Sequence, residues 1–257
     1  MTASDHRKAM KRTLESFAPR HRAWQAFDAW CEAAALAIAN SVTPHQAPSW
    51  REREDRFERI LDGFGPGAKE AFAEILAHLV EALALEPADQ LGLLAADLEA
   101  LDRGAGQFFT PYELSRLIAD LTLSDGQLEA TIRERGFVTV HEPAAGAGGM
   151  IIALAAAMRE RGLNPQTQMH ATCWDVESAA AHMCYVQLSL LNIPAVVVLG
   201  DTLILEAHQV LETPAHVLGL WRYRLQRADE GAAREPVTIP RLLGPLAEQP
   251  PLFQETA

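Results

Sequence analysis

The segment from Val138 to Met158, VTVHEPAAGAGGMIIALAAAM, constrains this chain more than any other. An apolar β-like run ends in Glu142-Pro143, bends through Gly146, Gly148 and Gly149, and enters a helix rich in Ala and Ile. Glycine tolerates positive φ and lets a backbone or a ligand approach closely. The helix start that follows offers unpaired N–H groups. Tight strand–helix packing would by itself also account for such glycines. The first run, Phe137–His141, is followed by two more, Met169–Asp175 and Ala195–Leu199. Helix-like stretches, Gly148–Arg161 and Glu177–Leu191, separate them. Strands joined by helices of this length predict right-handed βαβ units and a parallel sheet, a Rossmann-like α/β domain.

Each β-like run ends in an acidic residue. Asp175 closes the second run, where a nucleotide-binding α/β sheet places its ribose hydroxyl acceptor. Asp201, in Gly200-Asp201-Thr202, closes the third, where a carboxylate can accept from an adenine amino group. Singly, either Asp could be a helix N-cap. Together with the glycine turn, at the carboxyl ends of adjacent strands, they predict a site for an adenosine-containing ligand.

The first hundred residues read as helices: Ala23 to Asn40, Arg51 to Leu61, Ala68 to Leu85 and Asp89 to Leu101. The expected organisation is a helical domain over 1–103, a ligand-binding domain over 104–227 and an extended tail over 228–257. Glu206–Leu225 reads as helical with a break at Pro214. Cys31, Cys173 and Cys184 form no CxxC pair, which argues against a zinc or disulfide scaffold and predicts no metal site. No run is long and apolar enough to span a membrane, so a cytoplasmic protein is expected. The net charge of −12 is unevenly spread. Residues 1–60 carry 10 basic and 8 acidic side chains, whereas 61–130 carry 3 and 13. Contact with a phosphate backbone would need local basic patches, and the basic N-terminal run is either one of these or a frayed end.

The strings GQFFTP, EPAAGAGGM, WDVES…QLSLLNIPA and GDTL occur in that order. This chain resembles the N6-adenine DNA methyltransferases that form the modification subunits of type I restriction–modification systems, over about residues 89–205. At the glycine turn the family reads close to DPACGSGGM, so Glu142 stands for Asp, and Ala145 and Ala147 stand for Cys and Ser. The resemblance implies S-adenosylmethionine as cofactor and DNA as partner. It implies that Gln107, Phe108, Phe109, Thr110 and Pro111 close over the cofactor's methionine end. Glu142, Pro143, Ala144, Gly146, Gly148 and Gly149 would form the turn around it, Asp175 would take the ribose hydroxyls, and Asp201, with Thr202 beside it, would read the adenine. Thr110-Pro111 also suits a helix N-cap and first turn, and the two phenylalanines suit ordinary core positions.

The family also carries an Asn/Asp-Pro-Pro-Tyr/Phe motif at the end of a fourth strand, which grips an extruded base. Here Pro250-Pro251 is the only Pro-Pro pair, and Gln249 stands where Asn or Asp belongs. No fourth strand and no target-recognition region are expected after residue 205, which implies a shortened domain. Two functions follow: adenine-N6 methylation of DNA, with the missing motif supplied by a diverged loop or a partner subunit, or a catalytically silent S-adenosylmethionine-binding module of DNA-processing machinery. Transfer to another nucleic acid or to protein is a third. Arg222, Arg224 and Arg227 interleave with Trp221 and Tyr223, which suits nucleic-acid contact or an amphipathic helix with solvated arginines. Gln249, Leu252 and Phe253 resemble the short peptides that dock on a sliding clamp. The apolar stripes of the helices suit homo-oligomerisation or DNA contact equally.

Overall fold

The three apolar runs form the parallel part of a sheet in the computed structural model, which describes residues 1–98, 112–124 and 126–232. They are β1 (Val138–Glu142), β2 (Met169–Asp175) and β3 (Ala195–Asp201), with β2 between the others. Met169, His170, Ala171 and Cys173 of β2 are buried, as expected of a parallel strand covered on both faces. Val138 pairs with Met169, Glu142 with Cys173, and Asp175 with Leu199. The carboxyl ends of the three strands therefore lie side by side.

Among the described residues seven helices precede the sheet, the first five being α1 (Ala3–Glu15), α2 (Ala23–Ser41), α3 (Pro48–Phe64), α4 (Ala68–Leu85) and α5 (Gln90–Asp97). Next come α6 (Tyr112–Thr122) and α7 (Gln127–Arg135), the latter absent from the sequence-based reading. Helix α8 (Gly149–Glu160) and the single turn α9 (Pro165–Gln168) connect β1 to β2, and α10 (Ser178–Leu190) connects β2 to β3. The N-terminal basic run is a helix and not a frayed end. Thr2 accepts from the Asp5 N–H while Asp5 accepts from the Thr2 N–H, a reciprocal cap, and Met10 and Leu14 are fully buried.

The stretch after Asp201 corrects the sequence-based reading. Residues Glu206–Glu212 are a strand, β4, antiparallel to β3, and the short helix α11 (Pro214–Leu218) follows. EAHQVLE has little β propensity of its own. Pairing with the buried β3 overrides it, since β3 would otherwise leave an edge of unpaired backbone groups. The ladder shifts register at Leu199/Gly200, and a Cβ on Gly200 would run into the Glu206 carbonyl.

The helices before the sheet share its core. A continuous set of buried side chains runs from Met10 through Trp30, Leu79 and Leu91 to Ile151, Tyr185 and Leu211. The Trp30 indole donates to the Phe72 carbonyl at 3.0 Å, and Phe17, Phe64 and Phe72 meet ring to ring. Met1–Arg222 is one compact unit, inside which residues 1–98 and the sheet lie together. Tyr223–Ala257 is a second, described here only through residue 232, where the helix α12 (Trp221–Ala232) ends. No helix among the described residues is long and apolar enough to cross a membrane. Gly200→Ala is expected to lower unfolding free energy by about 1–3 kcal/mol, as overpacking does, measured by urea denaturation. An unchanged midpoint would mean the bulge has room for a methyl group.

Candidate functional site

The turn after β1 is built from backbone hydrogen bonds that the sequence permits. Ala145 N–H donates to the Trp174 carbonyl at 2.8 Å, and Gly148 N–H donates to the Ala145 carbonyl at 2.8 Å. Gly148 has φ of 90°, which disfavours any side chain. A Cβ there would also sit 3.1 Å from Cys184 Sγ. Gly149 begins α8, so its helix start faces the turn.

Asp175 points into this turn. Its Oδ2 accepts from the Gly146 N–H at 2.8 Å and its Oδ1 from the Glu177 N–H at 3.0 Å. A carboxylate has about four acceptor positions, so capacity for hydroxyl donors remains. Glu142, at the end of β1, accepts from the Ala144 N–H at a long 3.4 Å. Asp201 Oδ1 accepts from the Leu203 N–H at 2.8 Å, and the Thr202 hydroxyl donates to the Pro143 carbonyl at 2.8 Å. Thr202 thus ties the end of β3 to the turn after β1. Glu142, Asp175 and Asp201 are all part-exposed, while Val176 and Leu203 beside them are 61% and 93% exposed. Three acceptor carboxylates with apolar neighbours suit a cationic ligand that carries hydroxyl and amino donors and a flat ring. The sequence-based reading did not single out Val176; its place after the acidic strand end was the available signal.

A second missed element holds the turn from behind. Gln187 of α10 is fully buried. Its amide donates to the Ala147 carbonyl and to Asp89 Oδ1, both at 2.8 Å, and its oxygen accepts from the Leu91 N–H at 3.1 Å. Asp89 also caps α5 through the Gly92 N–H at 2.8 Å. Burial pushes the Asp89 carboxyl above its ordinary range, against the opposing pull of its bonds to Gln187 and Gly92. A lone glutamine inside the apolar string VQLSLL was the sequence signal for this contact.

Gln107, Phe108, Phe109, Thr110 and Pro111 lie outside the described residues, as do Gln249, Leu252 and Phe253. Arg222 donates to Glu212 Oε1 at 2.7 Å from an exposed position. Trp221 is buried against Phe137 and His170. In the second unit the Arg227 guanidinium lies 5.7 Å from the centre of the Tyr223 ring, and partial burial lowers the pKa of Arg224. Among the described residues no group of three or more His, Cys, Asp or Glu could hold a metal.

The family model for N-6 DNA methylase matches residues 92–221, just over half of the chain. The chain belongs to the N-6 DNA methylase family. The match spans α6 to α11, with the glycine turn, the three strand ends and Gln187, and leaves Asp89 and Leu91 just outside. A comparison with curated proteins finds no match. Among solved structures, a protein provisionally assigned as a class I S-adenosylmethionine-dependent methyltransferase from Listeria monocytogenes is similar at 14% identity and a TM-score of 0.37. The similarity covers 75% of this chain and 51% of that one, so this methylase-family chain spans about half the length of that structure.

Titration of Asp89 gives a test of the buried contact. Its folded pKa is raised, so its contribution favours folding below the unfolded value of about 3.9 and is lost as pH rises through the folded value. Asp89→Asn keeps an oxygen for Gly92 and Gln187 but cannot ionise. Its stability relative to the parent is expected to increase from pH 4 towards pH 7, followed by urea unfolding across that range. A pH-independent difference would place the charge in water.

Proposed function

We propose that this chain binds S-adenosylmethionine at the carboxyl ends of β1, β2 and β3 and serves adenine-N6 methylation of DNA. The observation that carries the reading is the convergence of Asp175 on the Gly146 amide, with Glu142, Asp201 and Thr202 at the neighbouring strand ends. Asp175 would accept the ribose hydroxyls, Val176 and Leu203 would flank the purine, and Asp201 would accept from its amino group. Glu142 and the turn through Gly149 would surround the methionine portion, with Gln107 to Pro111 closing over it. The cofactor supplies an electrophilic methyl group on a sulfonium sulfur. The chain's own work is positioning, which holds that carbon in line with an attacking amine and keeps water from the contact.

A second reading is a catalytically silent S-adenosylmethionine-binding module that assembles with DNA-processing proteins. One observation favours it: after β3 the chain returns as the antiparallel β4 and continues Glu212-Thr213-Pro214-Ala215, with no Pro-Pro-aromatic turn there to grip a base. DNA contact through Arg222, Arg224 and Arg227, and clamp docking through Gln249, Leu252 and Phe253, belong to either reading.

Calorimetry with S-adenosylmethionine and S-adenosylhomocysteine tests the shared premise. Asp175→Ala removes a charged acceptor worth about 1.5–3 kcal/mol per hydrogen bond, so affinity is expected to fall at least tenfold. Equal affinity in parent and variant would remove the assignment. Transfer of tritiated methyl groups to mixed-sequence DNA then separates the two readings: incorporation into adenine supports the enzyme, and binding without incorporation supports the silent module.

A further inference from the structure

Asp89 meets the glycine turn from inside the protein, where it is only 7% exposed. Its Oδ1 accepts from the Gly92 N–H and from the Gln187 amide, both at 2.8 Å, and the same amide holds the Ala147 carbonyl of the turn. Its Oδ2 lies between two glycines. A Cβ on Gly92 would collide with it, and a Cβ on Gly149, the first residue of α8, would sit 3.4 Å away. The carboxyl is thus packed one layer of backbone behind the turn.

None of these contacts needs a charge. Asparagine caps a helix as well as aspartate does, and its side-chain oxygen could serve Gly92 and Gln187 equally. Ionisation here is costly, since burial drives the carboxyl pKa upward. Among the described residues no Lys, Arg or His forms an ion pair with Asp89. Its charge is therefore the one property that the described contacts leave unused.

We propose that Asp89 is a specificity-determining residue, whose buried charge makes the site bind the sulfonium cofactor more tightly than its neutral, demethylated form. This rests on the S-adenosylmethionine site proposed above. S-adenosylmethionine and S-adenosylhomocysteine share their ribose, adenine and amino-acid groups and differ in one methyl group and one positive charge on sulfur. Glu142, Asp175 and Asp201 suit the donors that both ligands carry, and they are part-exposed, so water and salt screen their charges. Asp89 touches neither ligand, and its field crosses protein instead of water. At an effective dielectric constant of about 20, a unit charge about 10 Å from another changes affinity about tenfold. A neutral thioether at the same place gains nothing from it, so the spent cofactor leaves more readily than the fresh one.

Calorimetry at pH 8 with both ligands, on the full parent chain and on Asp89→Asn, tests this through the ratio of the two dissociation constants. The parent is expected to favour S-adenosylmethionine. Asp89→Asn, its fold checked by circular dichroism, should weaken S-adenosylmethionine about tenfold and change S-adenosylhomocysteine by less than about twofold. Asp62→Asn, at an exposed position on α3, removes the same charge elsewhere and should leave the ratio unchanged. The parent's preference should also persist from about 0.05 to 0.5 M salt, which would suppress one set by exposed carboxylates. Equal weakening of both ligands would give Asp89 a purely structural role. An unchanged ratio would mean that its charge is already balanced within the chain. Either result, or a preference that salt abolishes, overturns this proposal and leaves the cofactor site standing. A parent that binds neither ligand removes the site, and the proposal with it.

Discussion

The carboxamide of Gln187 is the contact on which the arrangement of the site depends. One side chain on α10 holds the carbonyl of the glycine turn, the Leu91 N–H in the first turn of α5 and the buried carboxyl of Asp89. All of these groups are out of water, where an unpaired donor or acceptor costs about 1–3 kcal/mol. They are therefore satisfied together or not at all. The consequence is geometric. The turn that begins α8 is fastened to the N-terminal helices through α5, and to the sheet through the Ala145 amide and the Trp174 carbonyl.

From that fixed turn the electrostatics of the site follow. The ends of three adjacent strands bring Glu142, Asp175 and Asp201 to one side of the sheet, and each spends part of its acceptor capacity on local amides. Such bonds orient a carboxylate without neutralising it. A sulfonium and its hydroxyls suit this environment; a phosphate backbone does not. In a methylase-family protein with a net charge of −12, the contact with DNA proposed above would have to come from residues away from these strand ends or from another chain.

Among the described residues β3 has its far edge closed by β4, so the sheet ends at β1 on one side and at β4 on the other. The sheet thus pairs on both edges the strand that the sequence made most apolar.

Much of this was legible from local pattern. Strand β2 and helices α4 and α6 begin and end where the periodicity and the Pro and Gly boundaries put them, because propensity, patterning and tertiary packing agree there. The glycine turn and the acidic strand ends were legible too, since each is a short run with one physical role. Local pattern failed where distant partners decide the outcome. EAHQVLE became a strand because β3 lay beside it, and Gln187 became a keystone because Asp89, nearly a hundred residues earlier, was brought against it. The amphipathic pattern of α6 was plain in the sequence, but which face it buries was not. Packing against α8 selected Ser115 and Ala119, small enough for close approach, and left the leucines outside. Sequence by itself determined the kinds of element and the chemistry at the strand ends; the tertiary structure decided their neighbours, because pairing and burial are relations between segments that no single segment encodes.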